Sequence, residues 1–373
     1  MGGAGPLRVL HLCAGNLYGG VERIVAECAA SRSLAADMEP RFAVCFDGRL
    51  AAELDGSGAP CDRLGPARLR APWSVARARG ALSRLIERDR PQVLVGHSAW
   101  AYALGAPVAR RAGIAPVLWL HDRLSGRTLV ERWAHRHAPN LVICNSRFTE
   151  GSVPRLFPDA RAAVVYAPVA AGCSAVEDRS RLRQALGVAD DRPVVLIASR
   201  FEAWKGHREL LAALAGIEAP WELWIAGRPQ RRGEEAYVRR LREQADAVGP
   251  GRRVRFLGER TDVAALMRAA DIHCQPNNQP EPFGLAFVEA LYAGLPVVTT
   301  GIGGPLEIVT PACGILVPPG APSALRAALV RLMEDPGERR RLGAAGPARA
   351  AMLCDPGSQL QALAAALRLA ADS

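Results

Sequence analysis

The feature that most constrains this chain is an alternation running from end to end: short, β-rich apolar runs separated by stretches of helical periodicity. In the first half the runs are LRVLHLCA (7–14), RFAVCF (41–46), PQVLVGH (91–97), APVLWLH (115–121) and NLVICN (140–145), and AAVVYAP (162–168) closes the series. Between them, 20–32, 75–88 and 99–112 repeat apolar residues at helical spacing. A strand that is apolar on both faces has to be covered on both. Helices joining such strands supply the cover, so the pattern specifies a parallel, doubly wound α/β sheet.

The alternation breaks once, at AAGCSAVEDRS (170–180), which is small, polar and aperiodic and reads as a connector. It restarts with RPVVLIASR (192–200), WELWIAG (221–227), RVRFLGE (253–259), DIHCQP (271–276) and LPVVTT (295–300), and a helical tail follows. A chain of 373 residues suits two domains of about 150–200 residues each. The expected divisions are 1–170, 181–355 and a final helix, 356–373, returning toward the first domain. Ligands of such sheets bind outside the carboxyl ends of the strands, so the loops of two Rossmann-like domains are expected to face each other across a cleft.

Composition narrows the setting. The formal charge of +10 suits polyanions, acidic membrane surfaces or phosphorylated substrates alike, but the arginines are scattered rather than interleaved with aromatics, against a nucleic-acid groove. Nine cysteines, none in a C-x-x-C pair, with Cys13, Cys45, Cys144 and Cys274 inside apolar strings, read as core thiols in a reducing compartment. The opening MGGAGPLRVLHL lacks a secretory leader's basic start, and Pro6 breaks the acylation motif that Gly2 would begin. No run reaches the length of a membrane span. A cytoplasmic protein is expected. The basic, partly amphipathic 69–90 is compatible with contact at an anionic membrane face or with a plain covering helix.

Three segments carry chemistry. In EPFGLAFVEALYAGLPVV (281–298), Pro282 and Gly284 mark a loop, and a helix is expected from about Gly284 to Ala293. Glu281 then lies on the loop and Glu289 about one turn inside the helix, while the amides of Phe283, Gly284 and Leu285 form an anion-friendly helix start. In ASRFEAWKGHRELL (198–211), Arg200 and Lys205 occupy the loop after a buried strand, where two cations can stabilise a departing diphosphate. In CAGNLYGGVERIVAECA (13–29), Gly19 and Gly20 precede a helix start.

The first of these segments resembles the E-x7-E motif of the family 4 retaining glycosyltransferases, which have the GT-B fold. The second is similar to that family's R-x4-K-G, with Ser199 where glycine is more usual, and the third to its N-terminal G-G loop. The resemblance extends over nearly the whole chain and is sharp at 198–207 and 281–298. It implies a nucleoside diphosphate sugar donor on the second domain, an acceptor entering from the first, and no metal or other cofactor. Glu281 and His121 would hold the sugar, Glu289 the ribose, and Arg200 and Lys205 the diphosphate, helped by Phe283, Gly284 and Leu285 and by Gly19 and Gly20. Arg228 and Glu259 would lie near the base, and Asn145 and Ser146 toward the acceptor. GIGGPLEIV (301–309) looks like the family's G-G-x-x-E loop, with Glu307 as its anchor.

Competing chemistries find less support. GHSAW (96–100) begins like a nucleophile elbow, but Trp100 stands where the turn needs a small residue. No D-x-D occurs, so the metal–diphosphate clamp of the other main glycosyltransferase fold is missing, and His135 and His137 fall on different sides of a helix. A sugar-nucleotide epimerase of the same fold, or a non-catalytic nucleotide-sugar binder, remains open at this level.

Overall fold

The computed structural model describes residues 5–172, 179–189, 191–248 and 252–373. The centre of the expected connector (173–178) and residues 1–4, on which the leader and acylation readings partly rested, lie outside them. The chain forms two units, Met1–Val169 with Cys354–Ser373, and Ala170–Leu353.

The first unit is built on seven parallel strands: β1 (Leu7–Cys13), β2 (Met38–Val44), β3 (Cys61–Arg63), β4 (Val93–His97), β5 (Ala115–Leu120), β6 (Leu141–Cys144) and β7 (Ala162–Val164). They lie in the order β3-β2-β1-β4-β5-β6-β7, with Val9 opposite Val93 and Val117 opposite Leu141. β4, β5 and β6 are buried throughout, as strands covered on both faces must be. Leu10, Leu12, Leu82, Leu94 and Leu104 belong to one apolar cluster, and Leu118, Leu120, Val142 and Phe157 to another. The helix Pro356–Ala371 is tied to this unit by Asn140 Nδ2 donating to the Ala370 carbonyl (3.3 Å) and Arg368 donating to the Asp37 carbonyl (3.0 Å).

The second unit repeats the scheme with six parallel strands: β8 (Val194–Ala198), β9 (Trp221–Ala226), β10 (Arg252–Gly258), β11 (Ile272–Gln275), β12 (Val297–Thr300) and β13 (Gly314–Val317). Their order is β10-β9-β8-β11-β12-β13, and the core joins Val195, Ile197, Leu223, Ile225, Ile272 and Val298 to Leu210, Leu214 and Leu329 on the covering helices. Asp271, just before β11, accepts from Arg179, Arg183 and the Val194 amide, fixing the unit's first helix to its sheet. The helices Pro322–Glu334, Pro336–Cys354 and Pro356–Ala371 each begin with proline, whose fixed φ suits a first helical position and whose missing N–H costs nothing there.

Two strands go beyond the apolar runs, and both lie at sheet edges. β3 is a three-residue Cys-Asp-Arg segment that is not apolar, and β13 is a short run whose middle residues are only half-buried. In each sheet the strand order reverses beside the first strand, between β1 and β4 and between β8 and β11. Loops leaving those carboxyl ends diverge to opposite faces and leave a crevice, where α/β sheets bind ligands. No helix among the described residues is long and apolar enough to cross a membrane.

Candidate active site

In the second unit the loops after β8 and β11, the two strands at the reversal, are stitched together. Asn278 N–H donates to the Trp204 carbonyl (2.9 Å), and Asn278 Nδ2 reaches Glu209 (3.0 Å). Gly206 adopts φ +81°, and a Cβ there would stand 2.0 Å from the Pro276 carbonyl oxygen, so only glycine lets the two backbones touch. That contact explains the glycine after Lys205 and sets where the lysine goes.

Lys205 Nζ lies 2.6 Å from Glu281 Oε2 and 4.0 Å from the centre of the Trp204 ring. The same Oε2 accepts from Gln275 Nε2 (3.2 Å) and Asn277 Nδ2 (3.3 Å). The lysine and glutamate side chains are only 13% and 9% exposed, so the pair is largely desolvated. Three donors on one oxygen fix the position of the carboxylate. Gln275 and Asn277 escaped the sequence reading; the available signal was amide side chains at the carboxyl end of a buried strand. Thr299 and Thr300 hold that strand end by donating to the Gln275 and Asn277 carbonyls (2.8 and 2.6 Å).

The helix after Glu281 runs Leu285–Tyr292, with Gly284 as its cap at φ +114°. Phe283 is buried, and Glu289 is half-buried one turn in. The amides of the first turn have no carbonyl four residues back. The Gly303–Gly304 turn packs on the Glu281 backbone, with Gly304 N–H donating to the Glu281 carbonyl (2.8 Å). Arg349 donates to the Glu307 and Ile308 carbonyls and holds the far side of that turn.

Arg200 is paired with Glu202 (2.9 Å), which Arg231 also approaches at 3.5 Å. Its guanidinium therefore rests against a carboxylate of its own loop. Arg228 and Glu259, after β9 and β10, pair with each other at 2.8 Å and are about half exposed. Ser199 Oγ lies 3.2 Å from His207 Nε2, across the base of the loop that carries Arg200 and Lys205. Burial, then the nearby Lys205 charge, pushes the His207 pKa down to about 3.

In the first unit the helix after β1 spans Gly20–Ala30. The left-handed residue of that loop is Gly15 (φ +83°), whereas Gly19 is ordinary extended backbone at φ −158°. The Gly19 amide donates to Glu22 of its own helix at 2.9 Å. His121, just after β5, is 8% exposed, and burial lowers its pKa to about 3, so it is neutral. Asn145 and Ser146 are buried and committed locally. Asn145 Nδ2 donates to the His121 carbonyl (3.3 Å), and Ser146 caps the helix Arg147–Glu150. Ser98 spends its hydroxyl accepting from the Ala101 amide at a strained φ of +124°, as a helix cap. Among the described residues no group of histidines, cysteines and acids is arranged to hold a metal ion.

Two family models match the chain. "Glycosyl transferases group 1" covers 178–349, and "Glycosyltransferase Family 4" covers 18–171. A Corynebacterium glutamicum GDP-mannose-dependent monoacylated alpha-(1-6)-phosphatidylinositol monomannoside mannosyltransferase is 34% identical over 184 residues, 46% of each chain. A D-inositol 3-phosphate glycosyltransferase from the same species is 33% identical over 171 residues, 44% of this chain and 40% of the relative. The chain thus spans about half the length of these relatives. Among solved structures, Anabaena Alr3699/HepE in complex with UDP and glucose superposes with a TM-score of 0.84 and 27% identity, covering 97% of this chain and 99% of that one. Sucrose-phosphate synthase from Thermosynechococcus elongatus shares the fold with a TM-score of 0.82 at 20% identity, covering 99% of this chain and 100% of its own.

Proposed function

The chain belongs to the group 1, family 4 glycosyltransferases, and from that premise we propose that it moves a hexose-type sugar from a nucleoside diphosphate donor to an acceptor hydroxyl with retention of configuration. Its fold is the two-domain α/β GT-B class. The observation that carries the reading is the Lys205–Glu281 contact, 2.6 Å between loops 76 residues apart, at the strand-order reversal. A desolvated ion pair adds little net stability, because attraction barely offsets desolvation. Its worth is chemical. The lysine supplies positive charge for a leaving diphosphate, and the glutamate supplies a fixed acceptor for sugar hydroxyls.

The remaining roles follow the family resemblance. Arg200 exchanges Glu202 for the diphosphate, Glu289 holds the ribose, and Arg228 and Glu259 flank the base. In the first unit Gly19, Gly20 and His121 serve the donor, and Asn145 and Ser146 shape the acceptor side from within. The leaving phosphate oxygen takes the acceptor's proton on the face from which the nucleotide departs, and no metal is needed. The net charge of +10 supports an anionic polyol as acceptor, the chemistry in the names of both curated relatives. The eight free thiols among the described residues support a reducing, cytoplasmic setting. At the start of the helix Pro72–Asp89, Trp73 is 74% exposed beside the exposed Leu69, Arg70 and Arg77, which supports contact with an anionic membrane face.

The test is a donor panel, UDP-glucose and GDP-mannose first, read by melting shift and then by product mass and anomeric NMR. At a hundredfold excess over Kd the right donor should raise Tm by roughly 5–10 °C. The reading fails if no nucleotide sugar shifts Tm and none is consumed.

A further inference from the structure

Three histidines from three neighbouring strands of the first unit form a continuous chain. His11 lies on β1, His97 ends β4 and His121 follows β5. His11 Nδ1 is 2.9 Å from His97 Nε2, and His97 Nδ1 is 3.0 Å from His121 Nε2. Trp119 braces all three, with ring centroids 6.4, 5.0 and 5.3 Å from His11, His97 and His121, and Phe42 stacks on His11 at 5.2 Å. Exposure rises along the chain from 0% at His11 to 2% at His97 and 8% at His121. His11 Nε2 and His121 Nδ1, the two ends, have no side-chain or backbone partner among the described residues.

The spacing is that of hydrogen bonds. Each link joins a different pair of nitrogens, so no common point exists for a metal ion. The inner end stops at His11 Nε2, buried with no hydrogen-bond partner among the described residues, so no group there receives a proton passed along the chain. What it can do is orient. Burial lowers the pKa of every member, so each ring is neutral, with one N–H and one lone pair. A ring that donates at one nitrogen must accept at the other. The three therefore share a single direction, with the proton on Nδ1 in all of them or on Nε2 in all of them.

We propose that His11 and His97 are positioning residues that hold the His121 imidazole in one orientation and one tautomer, leaving its Nδ1 as the polar atom offered to a ligand. The functional part of this rests on the reading of His121 as a donor-sugar contact. The two strand ends are built for it. At the end of β4, Ser98 holds a φ of +124°, a strain that persists only where surroundings enforce it. After β5, the His121 carbonyl accepts from Asn145.

The test uses the full chain with 15N-labelled histidine, reading ring nitrogens by long-range proton–nitrogen correlation. The expected result is one protonated and one bare nitrogen in each ring, with the same nitrogen protonated in all three. Averaged signals, or opposite assignments in His97 and His121, overturn the proposal. His97→Leu should mix the His121 tautomers and lower kcat by roughly tenfold with donor KM little changed. His97→Asn, whose amide can meet His121 Nε2, should restore most of both. Should His97→Leu not fold, His11→Phe keeps the stack on Phe42 and should mix the tautomers of the remaining pair. Unchanged His121 signals in whichever variant folds overturn the proposal. Near-normal turnover in His121→Ala would sink the assigned role of His121, and with it the functional half of the proposal, while the nitrogen signals still judge the chain itself.

Discussion

Replacing Lys205 by alanine is the sharpest test of the second-unit site. Cleaving the sugar–phosphate bond places additional negative charge on the diphosphate. A unit charge about 4 Å from the ammonium, at an effective dielectric near 20, is worth about 4 kcal/mol. With half of that charge developed in a loose transition state, the lysine stabilises it by about 2 kcal/mol more than the ground state, or roughly thirtyfold in kcat. Glu281 at 2.6 Å cancels part of the lysine's field, so a fall of about tenfold is the lower bound. The same substitution strips Glu281 of its cation and leaves Gln275 and Asn277 as donors to Oε2, at 3.2 and 3.3 Å. Stability should then drop by about 1–3 kcal/mol, the range for a buried polar group losing its partner. The double variant Lys205→Ala/Glu281→Gln isolates the stability effect: with no unpaired carboxylate left it should recover Tm. Steady-state kcat at saturating donor, with Tm measured in parallel, is the assay. A Lys205→Ala enzyme within about twofold of wild type in kcat would refute the reasoning, whatever its stability.

Three further outcomes are expected. Gly206→Ala places a methyl 2.0 Å from the Pro276 oxygen at a φ of +81°, so it should lower Tm and turnover together; a variant of normal Tm and activity would show that the loops need no such contact. A strong chelator should leave initial rates unchanged, and a loss restored by a divalent cation would contradict metal independence. Stability should fall with acid below neutrality. His11, His121 and His207 have folded pKa values near 3 and His273 near 4, all lowered by burial from 6.5. Between 6.5 and those values the unfolded chain binds the extra protons, so stability is full above about 6.5 and lost as pH falls through the window. A Tm that stays flat from pH 7 to 5 would mean that these rings are not held neutral.

The fold was legible because a strand buried on both faces cannot hide its composition. VLVGH, APVLWL and LVIC announce themselves, whereas Cys61–Arg63 has no apolar signature at all. In the candidate second-unit site the readable positions are those where a residue type is forced. Lys205 and Glu281 carry charge that the proposed chemistry needs and lie in contact, and Gly206 is set by the Pro276 carbonyl. Other parts were hidden for definable reasons. Gln275 and Asn277 matter through where their amides meet, and His11 sits inside LRVLHLC, where a buried polar ring is indistinguishable from core until its partners are known. The left-handed turn of the first unit's N-terminal loop falls at Gly15, and no spacing rule picks that glycine from Gly15, Gly19 and Gly20.

The two units arrange their polar groups in opposite ways, and the proposed reaction gives a reason for both. In the second unit the carboxyl ends at the reversal carry charges, a lysine and an arginine each resting on a carboxylate. A leaving diphosphate gains negative charge as the bond breaks, so cations there stabilise the transition state more than the ground state. In the first unit three neighbouring strands carry three imidazoles, within β1, at the end of β4 and just after β5, that burial keeps uncharged. A sugar ring losing its leaving group becomes positive at the reacting carbon, so a protonated histidine beside it would raise the barrier by repulsion. A neutral imidazole can hold a hydroxyl without that cost. The prediction is specific: replacing His121 by arginine, whose guanidinium stays charged even when buried, should depress kcat further than replacing it by alanine. Equal losses in the two variants would mean that charge at this position is irrelevant, and the contrast between the units would then have no catalytic meaning.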